Sequence, residues 1–309
     1  MGRCVGVVLW LGIAGPAFGQ QITYSVTFDD PNQTFANYYQ PLTQNLQAAG
    51  GLWNNYLRPA SAINLEVVVK FNTGIARATG RSLDVVLSRR TAEGFNLYEQ
   101  GAGSEVRTGI DPNPARADIE LALNPDYLRN ELWLDPDPAR RTATVPTNRT
   151  DAMSVMMHEL GHAFAYNGWR KGKTDQTGTI GDLPGNYLST FDQYVRRDGD
   201  VLVYDGPLAT SRYGGKPVPI TLGSYAHLGN KFADPGETQL PGTDLIPDLM
   251  NGVAFYRGTR YDLSILDVAI VADSEVPTVP VPEPILGLGV GVVGLAGLTL
   301  RRARRAGVG

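Results

Sequence analysis

The chain of 309 residues is poor in three things: it has one cysteine, three histidines and no excess of positive charge. The cysteine, Cys4, sits in an N-terminal apolar segment. Once that segment is removed, disulfides and cysteine-ligated metal sites are both impossible. Basic residues number 27 against 31 acidic ones. Arg3, Arg301, Arg302, Arg304 and Arg305 lie in the end segments, so the body between them carries about −9. That balance excludes an electrostatic partnership with nucleic acid. Charged residues make up 19%, too few for a disordered or coiled-coil chain, and the 36 Gly and 21 Pro follow no G-X-Y period, which excludes collagen. What is present is apolar material: 42% hydrophobic residues, enough for a sizeable core without covalent staples.

Both ends carry addressing patterns. Residues 1–19 place Arg3 before the apolar run Val5–Ala14, with small residues at Ala17 and Gly19. This order is that of a secretory signal peptide, and the run is too short to span a bilayer well. At the other end a Pro/Val-rich linker, residues 276–284, closes on Val281-Pro-Glu-Pro284. Residues 285–300 follow without a charge and are expected to form a transmembrane helix. The basic tail, 301–309, marks the cytoplasmic side. Short Pro-Glu-Pro motif, apolar helix and arginine cluster, in that order, resemble the PEP-CTERM sorting signal of Gram-negative bacteria. The resemblance implies an exosortase-type processing enzyme as partner. It also implies a membrane anchor held until processing, with delivery to the cell envelope or the extracellular surface.

Residues 20–275 read as one globular unit in two halves, 20–167 and 168–275. Alternating apolar residues predict strands over 22–30 and 63–71, with others at 83–88 and 118–123. Leu42, Leu46, Trp53 and Leu57 share one face of a helix expected from about Asn37 to Leu57. Residues 135–150, with three prolines, read as a loop. Thr150-Asp151 can cap a helix running to Tyr166, with Asn167-Gly168 expected to stop it in a left-handed turn. Beyond it the chain reads as irregular, apart from a hairpin about Asp198-Gly199 and a helix over Leu263–Ala272.

The expected capped helix carries His158-Glu-Leu-Gly-His162. Positions i and i+4 lie on one helix face, so two imidazoles can hold one Zn²⁺ while Glu159 leans to the metal's open side as general base. A catalytic zinc takes three protein ligands, and the third histidine, His227, completes the number. Residues 163–236 contain no Glu, which excludes a glutamate on the next helix; Asp192 remains a rival third ligand.

The zinc helix, Ser224-Tyr-Ala-His227, Asp248-Leu-Met-Asn-Gly252 and the segment 262–270 together resemble a metzincin metallopeptidase, with a leishmanolysin-like interval before the third histidine. The resemblance implies an α+β fold of two subdomains, with a mixed sheet, a zinc-binding helix and an irregular C-terminal half. It makes Met250 the Met-turn residue beneath the metal, and it likens strand 118–123 to the strand that binds extended peptide. Two departures stand out: the usual glycine and histidine after HExxH are replaced by Ala165 and Gly168. The expected function is zinc-dependent cleavage of protein or peptide substrates, with Tyr225 and Tyr256 as weak candidates for oxyanion donor. The alternatives are a surface or extracellular-matrix protein whose zinc is structural or inactive, and a zinc hydrolase of non-protein amides.

Overall fold

A computed structural model describes residues 21–169, 186–199, 201–221, 224–229, 242–252 and 255–280. The expected signal peptide, the end of the linker, the apolar segment 285–300 and the basic tail lie outside the described residues. Among the described residues no helix is long and apolar enough to cross a membrane.

In chain order the first half contains β1 (Ile22–Asp29), α1 (Ala36–Asn54), β2 (Ile63–Phe71), β3 (Ala78–Ser82) and β4 (Val85–Arg90). It continues through β5 (Asn96–Gln100), α2 (Gly101–Thr108), β6 (Ile119–Leu123), α3 (Pro125–Asn130), β7 (Leu132–Trp133) and β8 (Thr150–Asp151). Then come α4 (Ala152–Phe164), β9 (Tyr187–Ser189), β10 (Val195–Asp198) and β11 (Val201–Tyr204). The last elements are α5 (Pro207–Arg212), β12 (Val218–Pro219) and α6 (Ile265–Asp273). The chain is α+β with mixed sheets.

The main sheet has the order β1-β2-β6-β3. β1, β2 and β6 run parallel, with Ile22 opposite Ile63 and Val67 opposite Ile119, and β3 is antiparallel to β6. Alternation in β2 buries Ile63, Leu65, Val67 and Val69, whereas β6 is buried along its whole length. That difference fits an inner strand covered on both faces, with Glu120 held in it by ion pairs to Lys70 and Arg81. α1 lays Leu42, Leu46, Ala49 and Trp53 into the core, and the fully buried Trp53 donates its indole N–H to the Met157 carbonyl of α4 at 2.9 Å. The two helices are thus joined by packing and by a satisfied polar contact.

The structure corrects two expectations. Strand 118–123 (β6) is interior, not the cleft-lining edge; that edge is β3, which lay unrecognised in Ala78-Thr-Gly-Arg-Ser82 because it has almost no apolar alternation. α4 stops at Phe164, and Asn167-Gly168 makes no left-handed cap. Instead the N–H groups of Ala165 and Tyr166 both turn back to the Gly161 carbonyl, which frees the Tyr166 carbonyl for His162. One apolar cluster runs from Ile22 to Val276 through both halves, and β9 pairs in parallel with β5. Finally, the first residues of the expected linker are docked. Arg58 N–H donates to the Pro277 carbonyl, and Val279 N–H donates to that of Tyr56 at 2.7 Å.

Candidate metal centre

α4 starts where Asp151 accepts the Ser154 N–H at 3.1 Å, a side-chain cap on an otherwise orphaned donor. The same cap is tied to the segment after Met250, because the Ser154 hydroxyl accepts Tyr261 N–H at 2.8 Å and Arg260 pairs with Asp151 and Asp135. Asp248–Asn251 form a tight turn, with Met250 N–H on the Asp248 carboxylate at 3.1 Å and Asn251 N–H on its carbonyl at 3.3 Å. Met250 is fully buried, and a Cβ at Gly161 would come within 2.8 Å of its sulfur. Glycine at that position of α4 therefore lets the Met250 turn close beneath the two helical histidines.

His158, His162 and His227 converge. Their Nε2 atoms lie 3.1 Å (His158 to His162), 3.0 Å (His162 to His227) and 3.1 Å (His158 to His227) apart. On the far side of each ring Nδ1 faces a main-chain oxygen: Leu249 at 2.8 Å for His158, Tyr166 at 2.6 Å for His162, and Ser224 at 3.2 Å for His227. A carbonyl only accepts, so Nδ1 carries the proton in each ring and every Nε2 presents a bare lone pair. Burial drives all three pKa values down, that of His158 to about 3, so the rings remain neutral. Three neutral lone pairs about 3 Å apart repel one another unless a cation sits among them. Nitrogens bound tetrahedrally to zinc would stand roughly 3.3 Å apart. The donor set and its outer hydrogen bonds therefore fit Zn²⁺.

Asp192 does not join them. It is fully buried, accepting the Tyr225 hydroxyl at 2.7 Å and the N–H groups of Trp169 and Ser189 at 3.0 and 3.2 Å. Its place is to hold the chain leaving α4, and Gly168 is needed there because a Cβ would overlap its carboxylate. The same contact engages Tyr225, whose hydroxyl points to Asp192 rather than to the histidines. Tyr256 is half-exposed and does not line the cleft.

The histidines open on a cleft of about 380 Å³ walled by Arg77–Gly80 on one side and by Ser224–His227, Asn251, Gly252 and Phe255 on the other. Phe255 sets its ring edgewise to His158 at 5.2 Å between centroids. Glu159 also lines the cleft, and burial raises its carboxyl to about 8 against the opposing pull of a hydrogen bond from the Gly80 backbone. β3 rests directly on α4 there: a Cβ on Gly80 would overlap the Glu159 carbonyl.

Ser224 and Gly80 were missed by sequence reasoning. The Ser224 hydroxyl meets His227 Nδ1 at 2.8 Å, which the i−3 spacing could have suggested; no local signal marks Gly80. No protein-family profile matches this chain, and no curated protein matches it.

Proposed function

We propose that this chain is a zinc-dependent endopeptidase of metzincin type, exported and sorted to the cell envelope by its two terminal segments. The observation that carries the reading is the set of three Nε2 lone pairs, fixed by Nδ1 contacts, facing one another at an open cleft beside Glu159. Among the described residues no fourth acidic, cysteine or histidine side chain joins the group, which favours a centre with a free position over a closed structural one. The metzincin assignment draws support from the antiparallel edge strand β3 packed on the zinc helix and from the buried Met250 turn against Gly161.

Zinc bound here supplies a Lewis acid that polarises a carbonyl and brings the pKa of water near neutrality. His158, His162 and His227 hold it through Nε2, and the three carbonyl acceptors keep the rings from turning. Among the described residues β3 has no strand partner beyond β6, so Ala78–Gly80 present main-chain groups on which an extended peptide can pair. The Glu159 carboxylate takes a proton from the attacking water and returns it to the departing nitrogen. Its raised pKa suits a group that must both accept and release a proton near pH 7.

The test is cleavage of unfolded casein by the zinc-loaded protein. Activity is expected, with complete loss on chelation and recovery when stoichiometric Zn²⁺ is restored. Casein left intact while one tightly held zinc per chain is measured would favour a structural site. Gly80→Val is expected to displace β3 from Glu159 and lower kcat/KM by ~10²-fold, as misplacement by about 1 Å does. Zinc content should not change, and loss of zinc in this variant would mean that β3 supports the metal rather than the substrate.

A further inference from the structure

A second cluster of carboxylates lies away from the histidines. Glu105 on α2, Asp111 in the loop that follows and Asp118 at the start of β6 bring one oxygen each within 4.8 Å of one another. Glu105 and Asp118 are almost wholly buried, at 3% and 2% exposure, and Asp111 is half-buried. Among the described residues no lysine or arginine pairs with any of the three: Arg107 goes to Glu99, and Arg116 goes to Asp84.

Apart from a proton that Glu105 and Asp118 can share, the buried oxygens are without donors. Glu105 Oε2 has no hydrogen-bond partner, and neither has Asp118 Oδ1, although the second Asp118 oxygen accepts Glu66 N–H at 2.7 Å. Asp111 accepts the N–H of Asn113 at 2.6 Å, and the side-chain oxygen of Asn113 is a further buried acceptor left open. An unpaired buried carboxylate costs several kcal/mol, more than a chain would carry for no return. Burial, reinforced by the charge of Asp118, a hydrogen bond to it and the charge of Asp111, raises the Glu105 pKa to about 8.

We propose that Glu105, Asp111 and Asp118 bind one Ca²⁺. The donors are all oxygen, which selects a hard cation over zinc. Three carboxylates around one ion suit calcium, since magnesium keeps several waters and is usually held by only one or two carboxylates. Such an ion joins three pieces that the sequence holds separately. α2 packs on the zinc helix α4, the loop 109–118 leaves α2 at Gly109, and β6 carries the cleft strand β3. Asp118 is already fixed in the sheet: its N–H donates to Glu66 and its carbonyl accepts Leu83 N–H.

The experiment adds CaCl2 to the full-length, zinc-saturated protein in calcium-free buffer and reads Tm and calcium content. The expected result is about one Ca²⁺ per chain and a Tm rise of at least ~5 °C at a hundredfold excess over Kd. Glu105→Gln and the more exposed Asp111→Asn should both lose most of that rise while retaining zinc. An unchanged Tm at millimolar calcium would overturn the proposal and leave a proton shared between Glu105 and Asp118 as the way the cluster is neutralised. An equal rise in parent and both variants would place the ion elsewhere, and an equal effect of MgCl2 would overturn the assignment to calcium.

Discussion

Replacing His227 by Ala is expected to weaken zinc binding by ~10²–10³-fold, about one ligand's share of a typical protein–zinc affinity. The effect is large because among the described residues no other acidic or histidine side chain joins the group. Asp192, the plausible substitute by sequence, spends both oxygens on Tyr225, Trp169 and Ser189. Competition with a chromophoric chelator would measure it, and a loss under tenfold would mean that His227 is not a ligand. Ser224→Ala serves as the graded companion, since it removes the hydroxyl at 2.8 Å from Nδ1 but leaves the main-chain acceptor. Its expected cost is ~10-fold, at the low end of what outer contacts to a ligand contribute.

Glu159→Gln is expected to lower kcat by ~10²–10⁴-fold, the usual contribution of a positioned general base, with zinc content unchanged. Glutamine keeps the shape and can still meet the Gly80 backbone, so α4 and the cleft should be undisturbed. What is lost is the ability to take a proton. A rise in KM with kcat preserved would assign Glu159 to binding rather than proton transfer.

The pairing of His158 with His162 was legible in the sequence because its geometry is local. Four residues make one helical turn, and Asp151 announces where the helix begins. The third histidine was legible only through scarcity, since three histidines leave little choice. What made His227 rather than Asp192 come to the pair is non-local: the segment after β12 must bring Leu228 N–H to the Met250 carbonyl at 2.8 Å, and that pairing carries His227 over the helix. Gly252 permits it, because a Cβ there would fall 2.7 Å from that of His227. Strands β1, β2 and β6 were found from their apolar residues, whereas β3 shows no such pattern. Its residues are small and polar because one edge faces the cleft and Gly80 must touch the helix. The end of α4 was misjudged for a related reason, since Asn167-Gly168 signals a stop but the His162 contact to Tyr166 imposes an earlier one.

The acidic cluster shows the same limit from the other side. Glu105 falls on a helix, Asp111 in a loop and Asp118 just before a strand, with no spacing that marks a calcium loop. Only the packing of α2 against the start of β6 brings them together.

The central claim is that the three histidines and Glu159 form one water-activating centre that cuts peptide bonds. The most direct measurement is casein cleavage by the zinc-loaded full-length protein beside its Glu159→Gln variant, with zinc quantified in the same samples. The account predicts cleavage by the parent, at least a hundredfold less by the variant, and one zinc per chain in both. Equal cleavage by the two, or none by a parent holding its zinc, would contradict it.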